Sequence, residues 1–321
     1  MKKIALFFLL IFSLVQFTIA QNDDDEVIKL DTSLVLVPLT VTDPSGRMVP
    51  GLKKEDFKLF DEGKQQEIAH FDTVDAPFTV VLMLDISDST KFKLLDIQHA
   101  AHAFVDQLRP TDKVAIFTFD SAVSKILNAT ADRARITNAI GHMQTGGGTS
   151  LYSAMAEVYN SYLKTVKGRK ALVLFTDGID TTSPDAVTYI NTLKLAKEND
   201  AMVFPIQYNT IMGEDKLKNS PGGQVEILTK KGERLTVAYK RGTQYLGTLA
   251  HDSGGKFLFA ESISGLARSF AEIAQQLKVQ YTLGFYPPAE VADGKQHDLK
   301  VQYLAEGKAK IKYRRGYVLS K

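Results

Sequence analysis

The chain has 321 residues, 44% of them hydrophobic and 24% charged, with a formal net charge of +2; this is the balance of a globular protein long enough for one large domain or two modest ones. Lysine and arginine are spread along it rather than gathered in a basic, aromatic-rich tract, which argues against nucleic acid as a partner. Cysteine is absent, so disulfides, thiolate metal sites, a cysteine nucleophile and a lipidated cysteine are excluded, while either redox compartment stays open.

Residues 1–20 read as a secretory signal. Met1-Lys2-Lys3 is basic, Ile4 to Val15 is mostly apolar, and Thr18 and Ala20 place the cleavage point at Ala20–Gln21. An uncleaved anchor fits less well, because Ser13, Gln16 and Thr18 interrupt a stretch already short for spanning a bilayer. The expectation is an exported chain, periplasmic, cell-surface or extracellular, with no membrane span after cleavage.

Residues 21–76 form a β-rich segment. Leu34 to Thr42 is strand-like, Asp43-Pro44-Ser45-Gly46 supplies turn chemistry, and Phe57–Phe60 with Glu67–Phe71 reads as a hairpin around Asp61-Glu62-Gly63-Lys64. From residue 77 to 285 strands and helices alternate. Expected strands are Val80–Asp85, Val114–Phe119, Ser124–Asn128, Ala171–Thr176, Ala201–Ile206, Lys256–Phe259 and Tyr281–Phe285. Helices are expected after Asp85 (Leu94 to Leu108), at Arg133–Met143, Ser150–Lys164, Asp185–Glu198, Thr243–His251 and Ile263–Lys278. The pattern predicts an α/β fold: a doubly wound, mostly parallel central sheet with helices on both faces. Residues 286–321 return to β character at Asp298–Tyr303 and Ala309–Tyr313. Two strands alone are marginal, so this segment is expected to pair with residues 21–76 into one small β domain.

The run Val80 to Thr90 is a hydrophobic strand that ends in Asp85, Ser87 and Ser89, one carboxylate and two hydroxyls at alternate positions. Hard cations such as Mg²⁺ take oxygen ligands in near-octahedral geometry and keep several waters, so this strand end can supply one edge of such a site. Further oxygens are expected from Gly146-Gly147-Gly148-Thr149-Ser150 and from Thr176-Asp177-Gly178, each at a boundary of regular structure. Each piece alone is weak, since Asp and Ser cap loops and helix starts and glycines mark turns. Their order and placement together carry the reading.

With these words in order, the chain resembles a von Willebrand factor A domain over roughly two thirds of its length. Val41-Thr42-Asp43, Leu52 with Glu55-Asp56-Phe57, and Arg314-Arg315-Gly316-Tyr317 are similar to segments of exported bacterial proteins in which such a domain sits between β-rich ends. The resemblance implies a metal-ion-dependent adhesion site made of Asp85, Ser87, Ser89, Thr149 and Asp177, loaded with Mg²⁺, or with Mn²⁺ or Ca²⁺. It also implies a protein partner whose Asp or Glu carboxylate completes the ion's shell. Hydroxyl ligands are neutral, so two carboxylates leave a divalent ion electrophilic enough to take that anion. Some relatives hold a second ion through acidic residues after the first motif, but Lys91 and Lys93 stand there, and no second site is expected.

Residues 209–242 form a long polar connection for this architecture, with Val225–Thr229 and Arg234–Val237 read as a hairpin. Such insertions are commonly functional, and this one leaves the carboxyl end of a strand, the edge where ligands of parallel sheets bind. It is expected to shape partner access. Enzyme motifs are missing: there is no Gly-x-Ser-x-Gly, no His-Glu-x-x-His, and the glycine run lacks a Lys-Ser/Thr ending. His99 and His102 fall off the apolar helix face, and Ser87 has no base placed for it. The leading function is a non-catalytic module that captures an acidic side chain through a divalent ion. A static envelope scaffold stabilised by the ion and a metal-dependent hydrolase are the alternatives.

Overall fold

The computed structural model describes residues 34–73, 76–88, 94–208, 228–229, 231–288, 291–305 and 308–319. The expected signal segment, Ser89, Lys91, Lys93 and the expected hairpin residues 225–227 lie outside the described residues. Alternation decides the first strand. Val35, Val37, Leu39 and Val41 of β1 (Val35–Thr42) are at most 3% exposed, because successive side chains of a strand point to opposite faces and every second one enters the core. After a single 3-10 turn at Lys54–Asp56, β2 (Phe57–Asp61) reverses through Glu62 and Gly63, both with positive φ, into β3 (Lys64–Gln66). Two such residues match the right-handed twist of a hairpin. The hairpin partner is therefore Lys64–Gln66 rather than Glu67–Phe71, and β4 (His70–Asp72) crosses to another sheet.

The α/β layer follows in order: β5 (Thr79–Asp85), α1 (Leu94–Gln107), β6 (Lys113–Phe119), β7 (Val123–Thr130), α2 (Arg133–Gly141), α3 (Leu151–Glu157), β8 (Lys170–Thr176), α4 (Tyr189–Lys197), β9 (Met202–Tyr208), α5 (Leu235–Ser253), β10 (Leu258–Ala260) and α6 (Ile263–Lys278). Its sheet runs β10-β9-β8-β5-β6-β7, parallel throughout except for β7. Val80, Leu82 and Leu84 pack under α1, α2 and α6, while Val81 and Met83 pack under α3, α4 and α5. Burial on both faces explains the unbroken apolar run of β5. The doubly wound, mostly parallel α/β architecture is the one expected. Because β6 lies on one side of β5 and β8 on the other, the loops leaving β5 and β8 part at the switch point, which opens a crevice there.

Three helices differ from expectation, α4 by starting at Tyr189 rather than Asp185, after the Thr188 cap. The helix after Ser150 is α-helical only to Glu157 and continues through π turns over Val158–Leu163. The last long connection is shorter than read, since α5 begins at Leu235 rather than Thr243. Leu235-Thr236-Val237 has local strand character, but Ala238, Gly242, Tyr245, Leu246 and Leu249 form a buried stripe at helical spacing, and packing of that stripe overrides the local pattern.

Strand β11 (Tyr281–Phe285) was expected to end the α/β alternation. Instead it lies antiparallel to β1, in the sheet β13-β1-β11-β4, with β12 (Gln296–Tyr303), β13 (Lys310–Tyr313) and an unexpected β14 (Gly316–Val318) completing the chain. A fully buried run reads the same in a central strand and in a covered strand of a second sheet, so periodicity could not place it. The opposing sheet is β14-β12-β2-β3. Strands from both ends of the chain share one core of Val37, Leu59, Leu283, Phe285, Leu299 and Tyr317.

A buried polar pair sits in that core. The Tyr317 hydroxyl donates to Asp61 Oδ2 at 2.9 Å; burial pushes the Asp61 carboxyl above its ordinary range and the Tyr317 bond pulls it back. Tyr317→Phe removes the donor and leaves the carboxylate, so a loss of about 1–3 kcal/mol is expected in urea unfolding. In an Asp61→Asn background the same change should cost clearly less. Equal costs in the two backgrounds would mean the pair is not coupled.

Candidate metal centre

The site grows from the carboxyl ends of β5 and β8. Asp85 closes β5 with a side chain that is 0% exposed. Its Oδ1 accepts from the Ser87 backbone N–H at 3.1 Å and from Ser87 Oγ at 2.6 Å, and its Oδ2 accepts from Thr176 Oγ1 at 2.7 Å. The first and third loops thus meet at one carboxylate. Thr176 Oγ1 also accepts from Gly178 N–H at 3.1 Å, and Asp177 Oδ1 accepts from Ile179 N–H at 2.9 Å.

The glycine loop is tied to both neighbours. Gly146 N–H donates to Ile86 O at 2.9 Å, and a Cβ on Gly146 would stand 1.5 Å from Asp120 Oδ2, so the Asp120 side chain would have to move to admit one. Thr149 N–H donates to Thr181 Oγ1 at 2.8 Å, and Thr149 O accepts from Thr181 N–H at 2.8 Å and Thr182 N–H at 3.1 Å. Ser150 Oγ reaches Ser121 O at 3.0 Å and Thr182 Oγ1 at 2.8 Å. Behind them, buried Asp180 accepts from Tyr152 N–H at 2.9 Å and Ser183 N–H at 3.1 Å.

Asp85, Ser87, Thr149 and Asp177 therefore stand on three mutually bonded loops, each residue no more than 5% exposed; Ser89, the fifth expected ligand, lies outside the described residues. Burial, and secondarily the charge of Asp177, push the Asp85 carboxyl up to about 7, against the bonds from Ser87 and Thr176. Two buried carboxylates with neighbouring hydroxyls fit a hard divalent cation, which would offset both the desolvation and the mutual repulsion. Among the described residues no group of three or more His, Asp or Glu side chains converges to hold a metal, so any ion here depends on hydroxyls and water as much as on charge. Of the two α1 histidines, His99 is exposed and His102 half-buried.

Several residues that build the centre carry no spacing signal in the sequence. Thr176 was legible only as part of a strand-end word. Asp180, Thr181 and Thr182 look like ordinary loop polars, and Gln207, which donates from Nε2 to Asp177 O at 2.8 Å, sits within a strand. The described part of the 209–242 connection also reaches this edge. Lys231 Nζ donates to Ser183 O at 2.9 Å and stands 3.4 Å from Asp180 Oδ1, while Glu233 accepts from Nη1 and Nη2 of Arg241 at 2.5 and 2.6 Å.

Residues 80–179 match the family model of the von Willebrand factor type A domain. Comparison with curated protein sequences gives no match. Among solved structures, the chain is similar to a von Willebrand factor type A protein from Catenulispora acidiphila, with 12% identity, 83% of this chain and 74% of that one covered, and a TM-score of 0.49. It is similar to the vWF domain of the type V pili tip protein Mfa5 from Porphyromonas gingivalis, with 15% identity, 64% and 95% covered, and a TM-score of 0.47. Proximal thread matrix protein 1 from the mussel byssus, with a zinc-occupied MIDAS motif, gives 13% identity, 67% and 48% covered, and a TM-score of 0.48.

Proposed function

We propose that this chain, whose residues 80–179 are a von Willebrand factor type A segment, is a non-catalytic module that binds a partner protein's acidic side chain through one divalent cation. The observation that carries the reading is the pair of buried carboxylates, Asp85 and Asp177, set among hydroxyl-bearing loops, with Asp85 driven toward protonation by burial and by its neighbour's charge. Asp85, Ser87, Ser89, Thr149 and Asp177 would hold the ion. A Mg²⁺, Mn²⁺ or Ca²⁺ ion bound there supplies a Lewis-acidic centre that takes an external oxygen anion.

The residues of the chain set the geometry. Thr176 and the Ser87 backbone fix the Asp85 carboxylate, the Thr149–Thr181 bonds fix the glycine loop, and the Ile179 N–H orients Asp177. Neutral hydroxyls leave the ion's charge incompletely compensated, which favours an anionic last ligand. Hydroxide generation is the poorer use of a site built largely from hydroxyls. Residues 209–242 would shape access, since Lys231 is fastened to the third loop. Among the described residues no helix is long and apolar enough to cross a membrane. The basic and apolar start of the chain supports export with removal of residues 1–20, and the β-rich flanks 21–76 and 286–321 share a sheet with β11, the last strand of the 77–285 segment.

Affinity capture from the native envelope fraction tests this. Recovery of a specific partner is expected with Mg²⁺ and is expected to fall to background with chelator or with Asp85→Ala. Equal recovery in all three would rule out metal bridging.

A further inference from the structure

We propose that the Tyr239 hydroxyl is a further binding group of this centre, donating its proton to an oxygen carried by the bound ion; the proposal rests on the metal-site reading above. Tyr239 comes from the first turns of α5, which begins at Leu235 within the expected 209–242 connection, and not from any of the three loops that carry the expected ligands.

Its position follows from helix packing. Residues three and four apart share a helix face, so Tyr239, Gly242, Thr243 and Leu246 form one stripe. That stripe presses on the third loop. A Cβ on Gly242 would lie 2.3 Å from Gly178 O, and one on Gly178 would lie 3.2 Å from both Gly242 Cα and Leu246 Cδ1. Thr243 Oγ1 donates to Gln207 Oε1 at 2.9 Å, and Gln207 Nε2 donates to Asp177 O at 2.8 Å. Tyr239 stands on that face one turn nearer the start of α5, and burial, joined by the charge of Asp177, raises its hydroxyl to about 12. The phenol stays a proton donor throughout the physiological range.

The hydroxyl oxygen is buried and, among the described residues, has no hydrogen-bond partner. Buried polar groups are nearly always paired, so an unpaired donor on the helix face that packs on the third loop needs a reason. Packing alone would be served better by phenylalanine, which fills the same space without a polar atom to desolvate. A water or carboxylate held by a bound ion would carry oxygens able to accept from such a donor.

The test is titration calorimetry of Mn²⁺ into the wild-type chain, Tyr239→Phe and Asp85→Asn, with thermal unfolding of each in the absence of metal. For Tyr239→Phe the expected result is Mn²⁺ binding weakened roughly 3- to 10-fold, the loss of one hydrogen bond, with a metal-free Tm equal to or above wild type. Unchanged Mn²⁺ affinity in Tyr239→Phe, with Asp85→Asn inactive, would overturn the role of Tyr239 and leave the metal site standing. A metal-free Tm that falls with the affinity would assign Tyr239 a structural role and also overturn the proposal. No Mn²⁺ binding by the wild type would remove the metal reading, and this inference with it.

Discussion

Replacing Asp85 with asparagine is expected to raise the stability of the metal-free chain while abolishing its response to divalent cations. The two effects have one cause. Asp85 is 0% exposed and its carboxyl is raised by burial and by Asp177, so keeping it ionised near neutral pH opposes folding. Asparagine has the same size, and its carbonyl can still accept from the Ser87 N–H and Oγ, while Thr176 can turn its hydroxyl to accept from the amide. The gain in the metal-free state should be about 1–3 kcal/mol. Wild type in Mn²⁺ at a hundred times its Kd should gain about 2.7 kcal/mol, and Asp85→Asn nothing. Urea unfolding with Mn²⁺ and with chelator reads both numbers. A Mn²⁺-dependent shift of the variant as large as the wild type's would remove Asp85 from the ion.

The largest loss of stability is expected from Arg314→Ala. Arg314 is 5% exposed; its Nη1 donates to Leu36 O at 2.9 Å and its Nη2 to Lys197 O at 2.6 Å. Leu36 lies in β1 of the β layer and Lys197 ends α4 of the α/β layer, so one guanidinium joins the two. Burial pulls its pKa down to about 10, which leaves it charged at neutral pH and well placed at the negative end of a helix dipole. Alanine would strand two carbonyls and remove the packed stem, at a cost of about 2–5 kcal/mol and a fall in Tm of roughly 5–15 °C. Lysine should not restore it, because an ammonium is a compact point donor that cannot reproduce the planar fork. An Arg314→Ala midpoint close to wild type would show that this bridge carries little of the joint between layers.

Sequence words located the expected metal loops because their chemistry is local. Asp85, Ser87, Thr149 and Asp177 announce themselves by type and by standing where a strand or helix begins or ends, and the structure sets all four at one edge of the sheet. Their supports did not announce themselves. Thr181 was unremarkable among loop polars, and Gln207 was hidden inside β9, because its role depends on β9 lying beside β8. The start of α5 was misread at Leu235-Thr236-Val237, where local strand character lost to a buried stripe that only the helix as a whole can present.

By itself, then, the amino-acid order determined the period of each element, and with it the doubly wound α/β layer: apolar runs buried on both faces must be central strands, and amphipathic helices must cover them. It also determined which oxygen-bearing residues stand at strand ends. Only the tertiary structure decided where β11 belongs, since Tyr281–Phe285 is buried throughout and fits either layer by pattern. Antiparallel pairing with Val35–Leu39 settles it, because register with a distant strand is a property of two segments together. Tyr239 is the same case at the site, a side chain whose meaning comes from the contact of α5 with Gly178 and not from its own neighbours in the chain.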